Sequence, residues 1–101
     1  MARGGPDIVP ILTRLVRDRK MPRRLQAVRA LGLIADARAV RDLTILVSDN
    51  SEEEAIRLEA FEGLRGMDPE AARRLAREMS GDPALGETCE ACLRRRERSR
   101  E

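Results

Sequence analysis

Ile8-Val9-Pro10-Ile11-Leu12-Thr13-Arg14-Leu15-Val16-Arg17-Asp18, a short basic loop, and then Arg24-Leu25-Gln26-Ala27-Val28-Arg29-Ala30-Leu31-Gly32 form the stretch that decides the fold. Each half places apolar residues three and four apart, the spacing that lines one face of an α-helix. Both halves return later. Val9, Leu12, Leu15, Val16 and Asp18 are replayed by Val40, Leu43, Leu46, Val47 and Asp49 at a constant shift of 31. Arg24 to Leu31 is replayed by Arg57-Leu58-Glu59-Ala60-Phe61-Glu62-Gly63-Leu64 at a shift of 33. Paired amphipathic segments at that period mark an α-solenoid, in which no hairpin buries its apolar face alone and each stacks on the next.

Helix signals extend the reading in both directions. A first helix is expected from about Pro6 to Asp18, with Ile8, Val9, Leu12, Leu15 and Val16 inward and both Pro6 and Pro10 in or beside the first turn. Arg19-Lys20-Met21-Pro22 reads as a turn into a second helix that ends near Ala35, with Arg24, Ala27, Val28, Leu31 and Ile34 on or bordering its packed face. Asp36 reads as the cap of a third helix, which buries Val40, Leu43, Leu46 and Val47. Ser51-x-x-Glu54 has the form of a capping box, and Glu52, Glu53 and Glu54 read as exposed carboxylates at a positive helix end. The fourth helix then buries Ile56, Ala60, Phe61, Leu64 and Met67. Asp68-Pro69 and Asp82-Pro83 repeat the start signal and open a fifth helix (Ala72, Leu75, Ala76 and Met79 inward) and a sixth that reaches about Arg98. Gly86 stands where the second unit has Arg57, an irregularity expected of a terminal cap.

The order Asp, Arg, Ala, Ala-Leu-Gly, carried here by Asp18, Arg24, Ala27 and Ala30-Leu31-Gly32, resembles the bacterial HEAT-like repeat of the phycobilin-lyase type. Val9-Pro10-x-Leu12 also resembles the start of its outer helices. The resemblance covers residues 6–79 well and the remainder by pattern. With it the expectation is all-α: a short right-handed α-solenoid of about three HEAT-like helical hairpins (six helices) in a single domain, 1–101. The repeats fall at about 6–35, 36–67 and 68–98, with tails at 1–5 and 99–101. The resemblance further implies that Asp18 hydrogen-bonds Arg24 and Asp49 hydrogen-bonds Arg57, in structural roles.

Composition narrows the function classes. The 101 residues include no His, Trp or Tyr, and Phe61 is the one aromatic. The commonest general base and metal ligand is therefore missing, as are the usual platforms on which nucleic-acid bases stack. Cys89-x-x-Cys92 offers two of the four ligands a structural zinc needs. With Leu85 and Leu93 it matches Ile56, Ala60, Gly63 and Leu64 at a constant shift of 29, so both cysteines read as small core residues. No apolar run approaches a membrane span and the first residues carry no signal-peptide pattern, so a cytoplasmic protein is expected. No metal, cofactor or catalytic residue is indicated.

Charge is segregated along the chain. Residues 1–41 carry ten Arg or Lys against three acids; residues 42–90 carry five against thirteen; residues 91–101 carry five against two. Such ends can steer charged partners or favour head-to-tail self-association. The candidate partner-binding surface lies on the inner helices: Gln26, Arg29, Glu59 and Glu62 for polar selection, Leu25 and Leu58 as apolar contacts. Leu33 and Ile45 also fall off the inward faces. A second candidate is the basic set Arg14, Arg17, Arg19, Lys20 and Arg23, facing nucleic acid or an acidic partner. Acids on the inner helices interrupt any continuous basic stripe, which disfavours nucleic acid. The expected function is a non-enzymatic protein–protein interaction module or small scaffold whose partner is another protein. The alternatives are nucleic-acid binding through the basic N-terminal end and, as the resemblance implies, an accessory role in a larger, lyase-type enzyme.

Overall fold

A computed structural model describes residues 7–100, with side chains as far as residue 94. The expected tail 1–5, Pro6 and Glu101 lie outside the described residues, as do the side chains of the arginine-rich stretch 95–100. The described residues form α1 (Val9–Arg17), α2 (Arg24–Ile34), α3 (Val40–Ser48), α4 (Glu54–Met67), α5 (Pro69–Glu78) and α6 (Gly86–Arg100). Among them there is no strand. Consecutive helices pair into hairpins, and α4 is the central element, packed on α2, α3 and α5. The chain is a short all-α solenoid of helical hairpins. No helix among the described residues is long and apolar enough to cross a membrane.

The ends of the helices follow their local chemistry, with three departures. Asp68 accepts from the Ala71 N–H at 3.1 Å while Pro69 occupies the first helical position, as the sequence implies. Asp36 likewise accepts from the Arg38 N–H, but the chain makes a short 3-10 turn, Ala37–Ala39, before α3 begins. The capping box at Ser51 does not form. Its hydroxyl donates to Asp49 at 2.6 Å, and Glu53, without a side-chain capping bond, precedes α4. α6 begins at Gly86 rather than at Pro83, because Asp82 holds the N–H groups of Ala84 and Leu85 in a preceding turn.

One apolar core runs through all three hairpins, with Leu31, Leu43, Phe61, Leu64 and Leu85 fully buried. Cys89 belongs to it, and burial pushes its thiol up to about 11, so it stays protonated at neutral pH. Ile8 and Ile34, assigned to packed faces from spacing alone, are instead exposed.

Two buried arginines tie the hairpins together. Arg24 donates through Nε and Nη2 to the Val16 carbonyl, at 3.1 and 2.8 Å, near the end of α1. Its Nη1 and Nη2 also reach both carboxylate oxygens of Glu52, at 2.8 and 2.6 Å, in the loop before α4. Arg57 repeats the arrangement: Nε donates to the Val47 carbonyl at 3.0 Å, and the guanidinium pairs with Asp82 at 2.7 Å, before α6. Each guanidinium thus satisfies a carbonyl near the end of its own outer helix and a carboxylate of the following hairpin. The pairs Asp18–Arg24 and Asp49–Arg57 are replaced by Glu52–Arg24 and Asp82–Arg57. Asp18 accepts from the Lys20 N–H, and Asp49 is held by Ser51 and Arg19. Glu52 is accordingly buried, not part of an exposed acidic run.

Removing one partner of a buried ion pair strands the other charge. Arg57→Met is expected to lower unfolding free energy by about 3 kcal/mol or more in urea titration, while the exposed Arg23→Met changes it by less than about 0.5 kcal/mol. The hydrogen bond from Arg24 holds Glu52 below its ordinary value of 4.5, and that from Arg57 holds Asp82 below 3.8. Lowered folded-state values mean that both clamps stabilise fully above those pH values and fade as the pH falls through the lowered ones. Glu52→Gln should therefore destabilise the protein at pH 7 and lose most of that penalty once Glu52 of the unsubstituted protein is protonated. Stability curves at a series of pH values check this, and a penalty constant down to pH 2 would contradict it.

Candidate site on the inner helices

α2 and α4 approach closely where Gly32 meets Gly63. A Cβ placed on Gly32 would stand 2.9 Å from the Gly63 Cα, and one on Gly63 would stand 3.1 Å from the Gly32 Cα. Gly66, one turn further, has open space around it. The missing side chains leave a shallow recess of about 210 Å3 lined by Arg29, Gly32, Leu33, Glu59, Glu62, Gly63 and Gly66. Arg29 lies 3.4 Å from Glu59, a loose pair, while Glu62 is held by Arg65 at 2.7 Å. Leu33 stands at the rim with 81% of its surface exposed.

The structure thus gathers three of the inner-face candidates, Arg29, Glu59 and Glu62, around one recess. Gln26 is exposed on α2 but does not line it. Leu25 and Leu58 are half-buried and pack against the core. Sequence spacing did not identify the glycine floor. The partner of Gly32 becomes visible only when the two helices are set side by side.

The basic candidates separate into two groups. Arg17 pairs with the buried Asp42 at 3.0 Å, and Arg19 with Asp49. Arg14, Lys20 and Arg23 are exposed and make no side-chain hydrogen bond or ion pair among the described residues. The charge segregation of the sequence is folded back on itself, because Arg17, Arg19, Arg24 and Arg29 of the first hairpin all face acids of the second. An outer cleft of about 250 Å3 between α1 and α3 is lined by three of these pairs over Val16, Ile45 and Leu46. At the solvent edge Arg38 bridges Asp7 and Asp36, and its hydrogen bonds hold Asp36 down to about 2. No group of three or more His, Cys, Asp or Glu among the described residues is placed to hold a metal ion.

Three curated proteins, each named deoxyhypusine hydroxylase, are similar to this chain over 96 residues, 93% of its length. The identity is 30% for the protein of Rattus norvegicus, 31% for that of Mus musculus and 28% for that of Homo sapiens. The chain spans about a third of the length of these relatives (32%). No family model matches it, and no solved structure matches it. The relatives overturn the expectation of a non-enzymatic interaction module and the exclusion of enzymatic work: nearly all of the chain aligns with proteins that bear an enzyme's name.

The recess predicts opposite responses from its glycines. Gly32→Ala forces a Cβ against backbone and should destabilise the protein by about 1–3 kcal/mol. Gly66→Ala meets nothing and should stabilise it by about 0.4–1 kcal/mol, as read from urea midpoints. Equal effects at the two positions would contradict the close approach.

Proposed function

We propose that this chain is a substrate-recognition segment of a hydroxylase-type enzyme built from HEAT-like repeats, with the inner recess of α2 and α4 receiving the substrate. The observation that carries the reading is the alignment of nearly the whole chain with proteins named for hydroxylating deoxyhypusine. Enzymes that insert oxygen into a C–H bond commonly use a metal centre with histidine and carboxylate ligands. The residues of this chain do not fit such a centre: the sequence has no His, and the described residues offer no three-ligand group. Its share of the work is therefore assigned to holding a substrate, and no oxidation step is derived for it.

The recess has the elements that holding requires. Its glycine floor lets a ligand approach the backbone, Leu33 supplies an apolar rim, and Glu59 and Glu62 supply carboxylates whose partners, Arg29 and Arg65, lie at the surface. A loose pair such as Arg29–Glu59 can exchange one partner for a ligand at small cost. Calorimetric titration of the protein with a deoxyhypusine-containing peptide, and with the same peptide lacking that residue, tests the reading. The modified peptide should bind more tightly. The double variant Glu59→Gln/Glu62→Gln should weaken it by roughly tenfold, ~1.4 kcal/mol. Equal binding of the two peptides, or binding indifferent to the double variant, would remove the recess from consideration.

A further inference from the structure

We infer that the outer face of α1 and the exposed face of α6 fit each other, so that a second copy of the chain stacks head to tail on the first. The interface between the first two hairpins supplies the template. There, one wall of the outer cleft is Asp42, Ile45 and Leu46 of α3 with Asp49 just after it, and the other includes Arg17 and Arg24. The shift of 31 maps this wall onto Ile11, Arg14 and Leu15 of α1 and onto Asp18 just after it. It also maps Ala39, fully buried, onto Ile8.

On α1 this face has no hairpin against it among the described residues. Ile8 and Ile11 are 50% and 51% exposed where their equivalents Ala39 and Asp42 are buried. The outer face of α1 presents two isoleucines flanked by Arg14 and Arg23, exposed cations that make no side-chain hydrogen bond or ion pair among the described residues. Arg23 stands where the following inner helices bury Ile56 and Leu85.

The opposite wall exists at the other end. Asp36, Leu43 and Val47 correspond to Asp68, Leu75 and Met79 at a shift of 32, which carries the Arg17 position through Ser48 to Ser80. Arg24 and Arg57 correspond to Gly86, and Val28 and Phe61 to Glu90. Ser80, Gly86 and Glu90 line a single recess of about 430 Å3, together with Glu54, Asp82 and Glu87. Glu90 is exposed, while Val28 and Phe61 are fully buried between hairpins. The polarity of the internal interface is inverted at the ends: arginines face acids from hairpin one to hairpin two, whereas acids of α6 would face Arg14 and Arg23 of the next copy. Both arrangements are complementary, and the repeat geometry that builds the first supplies the second. A heterologous contact of this kind is reused by each added copy.

The measurement is the weight-average mass of the full chain by light scattering over a concentration series, at low and high salt. Mass should climb from 11.3 kDa toward twice that value and beyond at low salt, and fall back as salt screens the charged rim. Ile11→Glu, Arg23→Glu and Glu90→Arg change exposed residues and should each remain helical by circular dichroism while staying monomeric. Mixing the Arg23→Glu protein with the Glu90→Arg protein should restore association, because each then carries the charge the other lacks. A mass fixed at 11.3 kDa throughout overturns the inference. So does association that survives Glu90→Arg but not Ile11→Glu, since that would join two N-terminal faces, and so does failure of the mixture to recover.

Discussion

A guanidinium buried between hairpins is the constraint from which the rest of this structure follows. The last carbonyls of a helix have no partner within it, and each needs one from outside. Arg24 answers for α1 and Arg57 for α3, each through a side chain long enough to reach back to its own hairpin and forward to the next. A buried cation cannot stand alone, so a carboxylate must arrive from the following hairpin at a fixed place in its loop. Arginine suits the task because its planar fork serves two acceptors at once, which a lysine ammonium does not do with defined geometry. The clamp therefore fixes the distance and rotation between consecutive hairpins as well as holding them.

That geometry determines what the surfaces become. With Arg24 locked to Glu52, α2 and α4 run close enough for Gly32 and Gly63 to touch through their backbones. The crossing leaves the recess on the inner side, and the outer helices α1 and α3 diverge around a cleft bridged by charged pairs. The basic first hairpin and the acidic second are two halves of one interface. Net charge per segment overstates the charge left unpaired rather than the charge that solvent meets: Arg17, Arg19, Arg24 and Arg29 pair with acids of the second hairpin, and of these only Arg24 is buried.

The hairpins were legible in the sequence because helical periodicity is local, and a repeat shows it more than once. Ala60, Phe61 and Leu64 announce their burial through Ala27, Val28 and Leu31. The partners of the clamps were not legible, because the bond runs to the following repeat and a family pattern of loop Asp with helix Arg suggests one within the same repeat. Glu52 hid inside a run of three glutamates, where a capping motif gave a local explanation for all of them. Its one distinguishing sign is position: it lies 30 residues before Asp82, in the equivalent loop. Three inner-face candidates came together around a recess, but its floor is made of glycines, and an absent side chain has no signature in a hydrophobic pattern. The enzyme connection was illegible for a different reason. Taking the missing His to exclude enzymatic work went beyond what composition shows: it removes one general base and metal ligand, not a likeness to proteins that bear an enzyme's name.

The buried clamp does not recur in every hairpin. At the third hairpin the arginine position is Gly86, and a Cβ there would lie 2.6 Å from the Ser80 carbonyl oxygen. No side chain fits between α6 and the end of its own hairpin, so an arginine cannot reach forward from this position without moving α6 away. The tight approach of α6 to the Ser80 carbonyl takes the place of the long-range bond. Any hairpin stacked beyond α6 must then be held without a buried guanidinium, by contacts that can be made at a surface. The acids of α6 and the exposed isoleucines and arginines of α1 are groups of that kind, and a contact built from them would be weaker than the clamp and open to salt.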